Sequence, residues 1–106
     1  MSPTERHEIA KTIIEQLGGP RFLVMTGCKN LTYGETDGQV SLTIKLTKNK
    51  LNATHLRITL TLADDYTLTF IRVRKFEMKN VLELTGIYCD QLESTYAEVT
   101  GQATRL

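Results

Sequence analysis

Apolar and polar residues alternate strictly over two stretches in the middle of the chain. Leu56, Ile58, Leu60 and Leu62 are separated by Arg57, Thr59 and Thr61, and Tyr66, Leu68 and Phe70 by Thr67 and Thr69. A period of two is that of a β-strand with one buried face. The break at residues 63–65 reads Ala-Asp-Asp, so the two runs form an antiparallel hairpin. A two-residue loop at Asp64 and Asp65 would set Leu62 against Thr67 and mix apolar with polar positions. A three-residue loop at residues 63–65 sets Leu62 opposite Tyr66, Leu60 opposite Leu68 and Ile58 opposite Phe70. This collects one apolar face, which a slip by one residue would turn to water. Such a loop asks for a positive φ at its last residue, Asp65, which aspartate tolerates.

The alternation slips at Phe70 and Ile71. In a regular strand Ile71 and Val73 join the threonine face while Arg72 and Arg74 turn toward the core, where arginine is rarely found without partners. A β-bulge near Phe70 would return Ile71 and Val73 to the core and send the arginines outward, and the pattern is read that way. The rival reading is an apolar patch on the second face, covered by a helix or a partner. Upstream, Val40, Leu42, Ile44 and Leu46 alternate with Ser41, Thr43 and Lys45 as another strand. Residues 48–53 are polar, hold Asn49 and Asn52, and form the loop between. The three strands make an antiparallel meander. Lys48, Lys50 and Lys75 gather near strand ends, where lysine keeps sheet edges soluble.

The flanks read as helical. Ser2, Pro3 and Glu5 suit a capped helix start. Ile9, Ala10, Ile13, Ile14 and Leu17 recur at helical spacing, and Gly18-Gly19-Pro20 stops the helix with Gly18 at the left-handed cap position. Residues 22–25 (Phe-Leu-Val-Met) are too short to assign by period. They fit an edge strand or one buried helical turn, and are read as the strand. Tyr33-Gly34 and Asp37-Gly38 mark residues 29–38 as turns, and residues 76–80 read as a turn as well. Val81, Leu84, Ile87, Tyr88, Leu92, Tyr96 and Val99 then follow at helical spacing. Gly86 interrupts them, so the helix is drawn from near Ile87, with Thr85 as cap, to Thr100, with Gly101 at its C-cap. The expected fold is a single two-layer α+β domain over residues 1–106. It is a three- or four-stranded antiparallel β-meander with an N-terminal and a C-terminal helix packed on one face.

At 106 residues, 41% hydrophobic and 24% charged, the chain suits one globular domain with a single core. A net charge of +1 offers no overall attraction to nucleic acid. The charge is uneven, however. Residues 45–79 carry eight Lys/Arg against three acids, a net +5, while residues 80–106 carry Arg105 against four acids, a net −3. Cys28 and Cys89 lie far apart with no CxxC, which is neither a disulfide framework nor a metal signature, so each is expected as a buried free thiol. Residues 1–20 lack the apolar core of a signal peptide, and no apolar run approaches the roughly 20 residues of a membrane span. The expected place is a reducing bacterial cytoplasm, with no membrane partner. Asn30 and Asn52, in glycosylation patterns, are chance matches there.

No Gly-rich phosphate loop, HExxH, nucleophile elbow or metal cluster is present, so no cofactor and no metal is expected. Turn chemistry accounts for Asp64 and Asp65. His7 falls on the polar side of the first helix as a solvated residue. Cys28 with His7 or His55 would make a nucleophile and base only if the fold joined residues that no spacing joins. The chain is therefore read as a non-enzyme, and binding is the remaining class. Lys45, Arg57, Arg72, Arg74 and Lys75, interleaved with threonines, offer a basic surface to a phosphate backbone or to a protein. Tyr66 and Phe70 belong to the apolar face, which weakens the nucleic-acid reading, since single-strand binders stack bases on exposed aromatics. A protein-binding surface would use the same arginines with Ile71, Val73 and the acidic side of the last helix, and arginine is favoured in interfaces.

Gln16-Leu17-Gly18-Gly19 followed by Phe22, Met25-Thr26-Gly27 and Lys29-Asn30 resembles the opening of a group of small accessory proteins of tailed phages and prophages. Tyr88-Cys89-Asp90-Gln91-Leu92, with Val99-Thr100-Gly101 and Thr104-Arg105-Leu106, resembles their ending. The likeness covers both ends and under half of the chain, and assigns no functional residue. It implies a mobile-element origin, and small phage proteins of this sort often act by binding a host protein, host defence complexes included. The expectation is thus a non-enzymatic accessory protein that binds a host protein. The alternatives are a nucleic-acid-binding protein using a basic antiparallel sheet, and a phage structural or assembly protein.

Overall fold

The structure, a computed structural model, describes residues 3–36 and 38–102. Five strands follow one another as β1 (Lys29–Thr36), β2 (Gln39–Lys45), β3 (His55–Leu60), β4 (Tyr66–Arg74) and β5 (Glu77–Ile87). Each is antiparallel to the next, and their order in the sheet is their order in the chain. Helices α1 (Pro3–Leu17) and α2 (Pro20–Thr26) precede the sheet, and α3 (Leu92–Thr100) follows it through one 3₁₀ turn, Cys89–Gln91. The class is α+β with an antiparallel sheet, as expected, but the sheet has five strands rather than three or four.

The alternation places the core where it was expected. Val40, Leu42 and Ile44 of β2, Leu56 and Ile58 of β3, and Tyr66, Leu68 and Phe70 of β4 are buried on one face. Ala10, Ile13 and Leu17 of α1, Phe22 of α2, and Leu92 and Tyr96 of α3 lie against them. Burying each large side chain is worth about 1.5–3 kcal/mol. Phe22 and Tyr96 meet edge to face with centroids 4.9 Å apart, a favoured aromatic geometry. α1 ends as the glycines predicted. Gly18 N–H donates to Glu15 O (3.2 Å) and Gly19 N–H to Ile14 O (2.8 Å), a paired closure that needs the positive φ of Gly18. The helix start at Ser2 lies outside the described residues.

The β3–β4 hairpin keeps the expected face but not the expected register. Leu60 pairs with Tyr66, Ile58 with Leu68 and Leu56 with Phe70. The loop is three residues long, as read, but it comprises Leu62, Ala63 and Asp64. Thr61 N–H donates to Asp65 O (2.9 Å) and Asp64 N–H to Thr61 O (3.1 Å), and Asp64 takes the positive φ (65°) instead of Asp65. A shift of two residues preserves the face, so the apolar pattern could not distinguish the two registers. Local hydrogen bonds decide it. Thr61 Oγ1 donates to Asp65 Oδ1 (2.5 Å) and accepts from Ala63 N–H (3.2 Å), which leaves Leu62 in the turn, 79% exposed.

Four other expectations are corrected. Residues 22–25 are helical, within α2. Pro20 sits at the helix start where no N–H is needed, Thr26 Oγ1 returns a bond to Phe22 O (2.7 Å), and Gly27 at φ 71° caps the end. Residues 29–36 are strand β1, not turns. As an edge strand β1 needs little apolar surface, and only Gly38 of the described turn residues has positive φ (76°). Residues 77–87 are strand β5, not turn and helix. The last helix begins at Leu92, and Tyr88, expected in the core, is exposed.

The bulge expected in β4 lies in its partner. Ile71 pairs with Asn80 and Phe70 with Leu82, leaving Val81 over, and a second shift falls between Leu84 and Ile87, where Gly86 has φ 69°. β4 stays in step with β3 throughout, so Ile71 remains on the threonine face, though buried, and Arg72 turns to the helix side. Arg72 is satisfied there by carbonyls, its Nε donating to Asn52 O (3.0 Å) and its Nη2 to Leu51 O (2.8 Å). Ile71 and Val73 thus fall on the second face, as in the rival reading, but Val73 is exposed there rather than covered.

Candidate functional site

The five basic residues singled out from the sequence do not form one surface. Lys45 and Arg57 stand on the outer, threonine-bearing face of the sheet. Arg72 and Arg74 are in register with the helix side, and Arg72 is engaged by the β2–β3 loop. Lys75 is in the turn between β4 and β5. Two separate places result.

The first is the outer end of the β4–β5 hairpin. The last β4 residue opposite β3 is Ile71, facing His55, and Val73 is still tied to Thr54, whose Oγ1 accepts from Val73 N–H (3.0 Å). Beyond that point β4 and β5 pair only with each other. Val73 faces Met78, Arg72 faces Lys79 and Arg74 faces Glu77. Lys75 and Phe76 form a two-residue turn with φ 47° and 70°. Such turns need both central residues left-handed, which is why Asn-Gly is the favoured pair. Phe76 is wholly exposed, and Val73 and Met78 are exposed beside it. The hairpin end thus carries Val73 and Met78 on one face, Arg74, Glu77 and Lys79 on the other, and Lys75 and Phe76 at its turn. Sequence reasoning missed Phe76, Met78 and Lys79. The readable signal was the opposite charge of Arg74 and Glu77 on either side of two residues.

The second place is the outer face. Thr32, Thr43, Arg57, Thr69 and Glu83 stand in register across the five strands, and Gly34, Ser41, Thr59 and Thr67 form the next row. Gly34 leaves a notch beside Ser41, with nothing within 4 Å of where a side chain would begin. A groove of about 490 Å³ follows, with Ser41, Thr43, Arg57 and Thr59 in its floor. On the helix side a smaller apolar cavity of about 280 Å³ lies between α1 and β1, where His7 meets Tyr33 edge-on at 5.8 Å.

Of the two cysteines, Cys89 is exposed, against expectation, and Cys28 is buried with its Sγ 3.4 Å from Tyr96 Oη. The Tyr96 hydroxyl also donates to Gln102 Oε1. Burial pushes the Tyr96 pKa far up, with the Cys28 contact adding to it. Tyr66 is pushed up by burial too, with Cys89 contributing, while its hydroxyl donates to Gln16 Oε1 (2.7 Å). Both phenols are structural. Among the described residues no three His, Cys, Asp or Glu side chains are grouped to hold a metal ion, and no helix is long and apolar enough to cross a membrane. Compared with protein-family models, curated proteins and solved structures, the chain gives no significant match.

Proposed function

We propose that this protein acts by binding, not catalysis, as a phage or mobile-element accessory protein whose partner is a host protein, and that the β4–β5 hairpin end makes the contact. The carrying observation is Phe76. A bulky aromatic residue in the left-handed region costs roughly 1 kcal/mol relative to glycine, and this one gains no burial in return. Strain kept at an exposed tip is what a contact residue accounts for and a merely structural turn does not. Its neighbours are of the types that interfaces favour, Met78 and Arg74 among them. A two-stranded ribbon also presents them with little ordering left to do on binding. The resemblance of the chain ends to phage accessory proteins supports the host partner.

The test is affinity capture from a nuclease-treated bacterial lysate, comparing the protein with a Lys75→Asn/Phe76→Gly variant. A host protein held by the first and lost by the second is the expected result. Equal capture by both, or capture that vanishes with nuclease, sinks this reading.

A further inference from the structure

We infer that the outer face of the sheet holds a second site, for a small polar phosphate ester, with the phosphate on Arg57. Three cations share this face. Lys29 faces Lys45 directly across the β1–β2 ladder, and Arg57 follows Lys45 two positions on along the β2–β3 ladder. Like charges placed opposite each other in a sheet repel. The side chain of none of the three has a hydrogen bond or ion pair within the described residues, and all are exposed. The one carboxylate among the described strand residues on this face, Glu83, lies two strands from Arg57 and accepts from Thr69 Oγ1 (3.3 Å). Tyr33 and Glu35 border the groove but are in register with Leu42 and Val40, which puts their side chains on the helix side. An anion between Arg57 and the lysines relieves the repulsion, and a guanidinium offers a phosphate two parallel bonds.

The remainder of the ligand is set by the hydroxyls. Those of Ser41, Thr43 and Thr59 are half-buried in the groove floor and have no partner within the described residues. Each donates and accepts, the complement of a polyol. At about 490 Å³ the groove is within the size range of small-ligand sites. No Phe or Tyr of the described strand residues is in register with this face, and the one ring there, His55, is held at Nδ1 by Thr54 Oγ1 (2.8 Å), which favours a sugar phosphate over a polynucleotide. Gly34 is part of the device, because any side chain there would enter the notch beside Ser41.

The experiment is an amide chemical-shift titration of the full chain with inorganic phosphate, ribose 5-phosphate and an oligothymidylate. Saturable shifts centred on residues 41–43 and 57–59 are expected, with ribose 5-phosphate at least tenfold tighter than phosphate. Arg57→Gln should weaken both at least tenfold, and Ser41→Ala/Thr59→Val only the sugar phosphate. Arg57 is exposed and Ser41 and Thr59 are half-buried on the face away from the core, so folding should be preserved, which a matching spectrum of each variant checks. Lys75→Asn/Phe76→Gly should change nothing here, which separates this site from the hairpin end. Absence of saturable shifts, indifference to Arg57→Gln, or binding of the oligonucleotide alone would each overturn the inference.

Discussion

Lys75 and Phe76 show how much a single backbone angle can hold. Both are left-handed without the freedom of glycine, so the turn is weaker than an Asn-Gly turn of the same shape. The variant Lys75→Asn/Phe76→Gly should therefore be more stable than the natural protein, by about 1–2 kcal/mol, read from the urea midpoint at unchanged slope. A lower midpoint would mean that Phe76 supports the fold, and the argument for a contact residue would lapse. Asp64 takes a similar angle (65°) more easily, as aspartate does, inside a turn tied by Thr61 and Asp65. The sequence announces the Asp-rich turn plainly. It does not announce Phe76, because turn propensities contain no reason for an aromatic there.

At the scale of elements, the legible strands were those with one face wet and one face dry. β2, β3 and β4 alternate because they are central and half-buried. β1 and β5 were not legible, and for different reasons. β1 is an edge that buries few side chains, so Thr, Gly and Glu suffice and read as a turn. β5 is bulged twice, which puts Leu84 and Ile87 on the same face although they are three residues apart. Three-residue spacing is also the mark of a helix, so the bulge counterfeits one. Both edges carry register shifts, a common device against edge-to-edge pairing. α2 was misread because seven residues are too few for a period. It is held by one anchor, Phe22, fully buried against Tyr96. Phe22→Ala should cost about 3–5 kcal/mol, measured by denaturant unfolding. A loss under 1 kcal/mol would mean that α2 is not packed as described.

The whole molecule adds a dependence on pH that no segment carries alone. Tyr66 and Tyr96 are both held protonated above their ordinary value of 10.0 by burial. The unfolded chain ionises them near 10 and the native state later, so their contribution is complete below pH 10 and is lost as pH rises beyond it. Stability should therefore fall as pH rises above 10, with Tyr96, the more strongly shifted, responsible for most of the loss. Tyr96→Phe keeps the ring against Phe22 and should make that fall clearly shallower. An unchanged slope between pH 10 and 11 in the variant would refute the assignment.

The order of polar and apolar residues determined, without any structure, that a sheet with one dry face exists, which side chains of β2, β3 and β4 as far as Phe70 form the core, and where α1 stops. These follow from periods of two and 3.6 and from glycine, all local. Tertiary structure alone decided the two edge strands, the side to which Arg72 turns and the separation of the basic residues. Each of these depends on which strand lies alongside: a bulge in β5 sets what Phe70 and Ile71 face, and the β2–β3 loop supplies the carbonyls that hold Arg72. The pairing of Lys29 with Lys45, sixteen positions apart, is likewise invisible until the sheet is assembled.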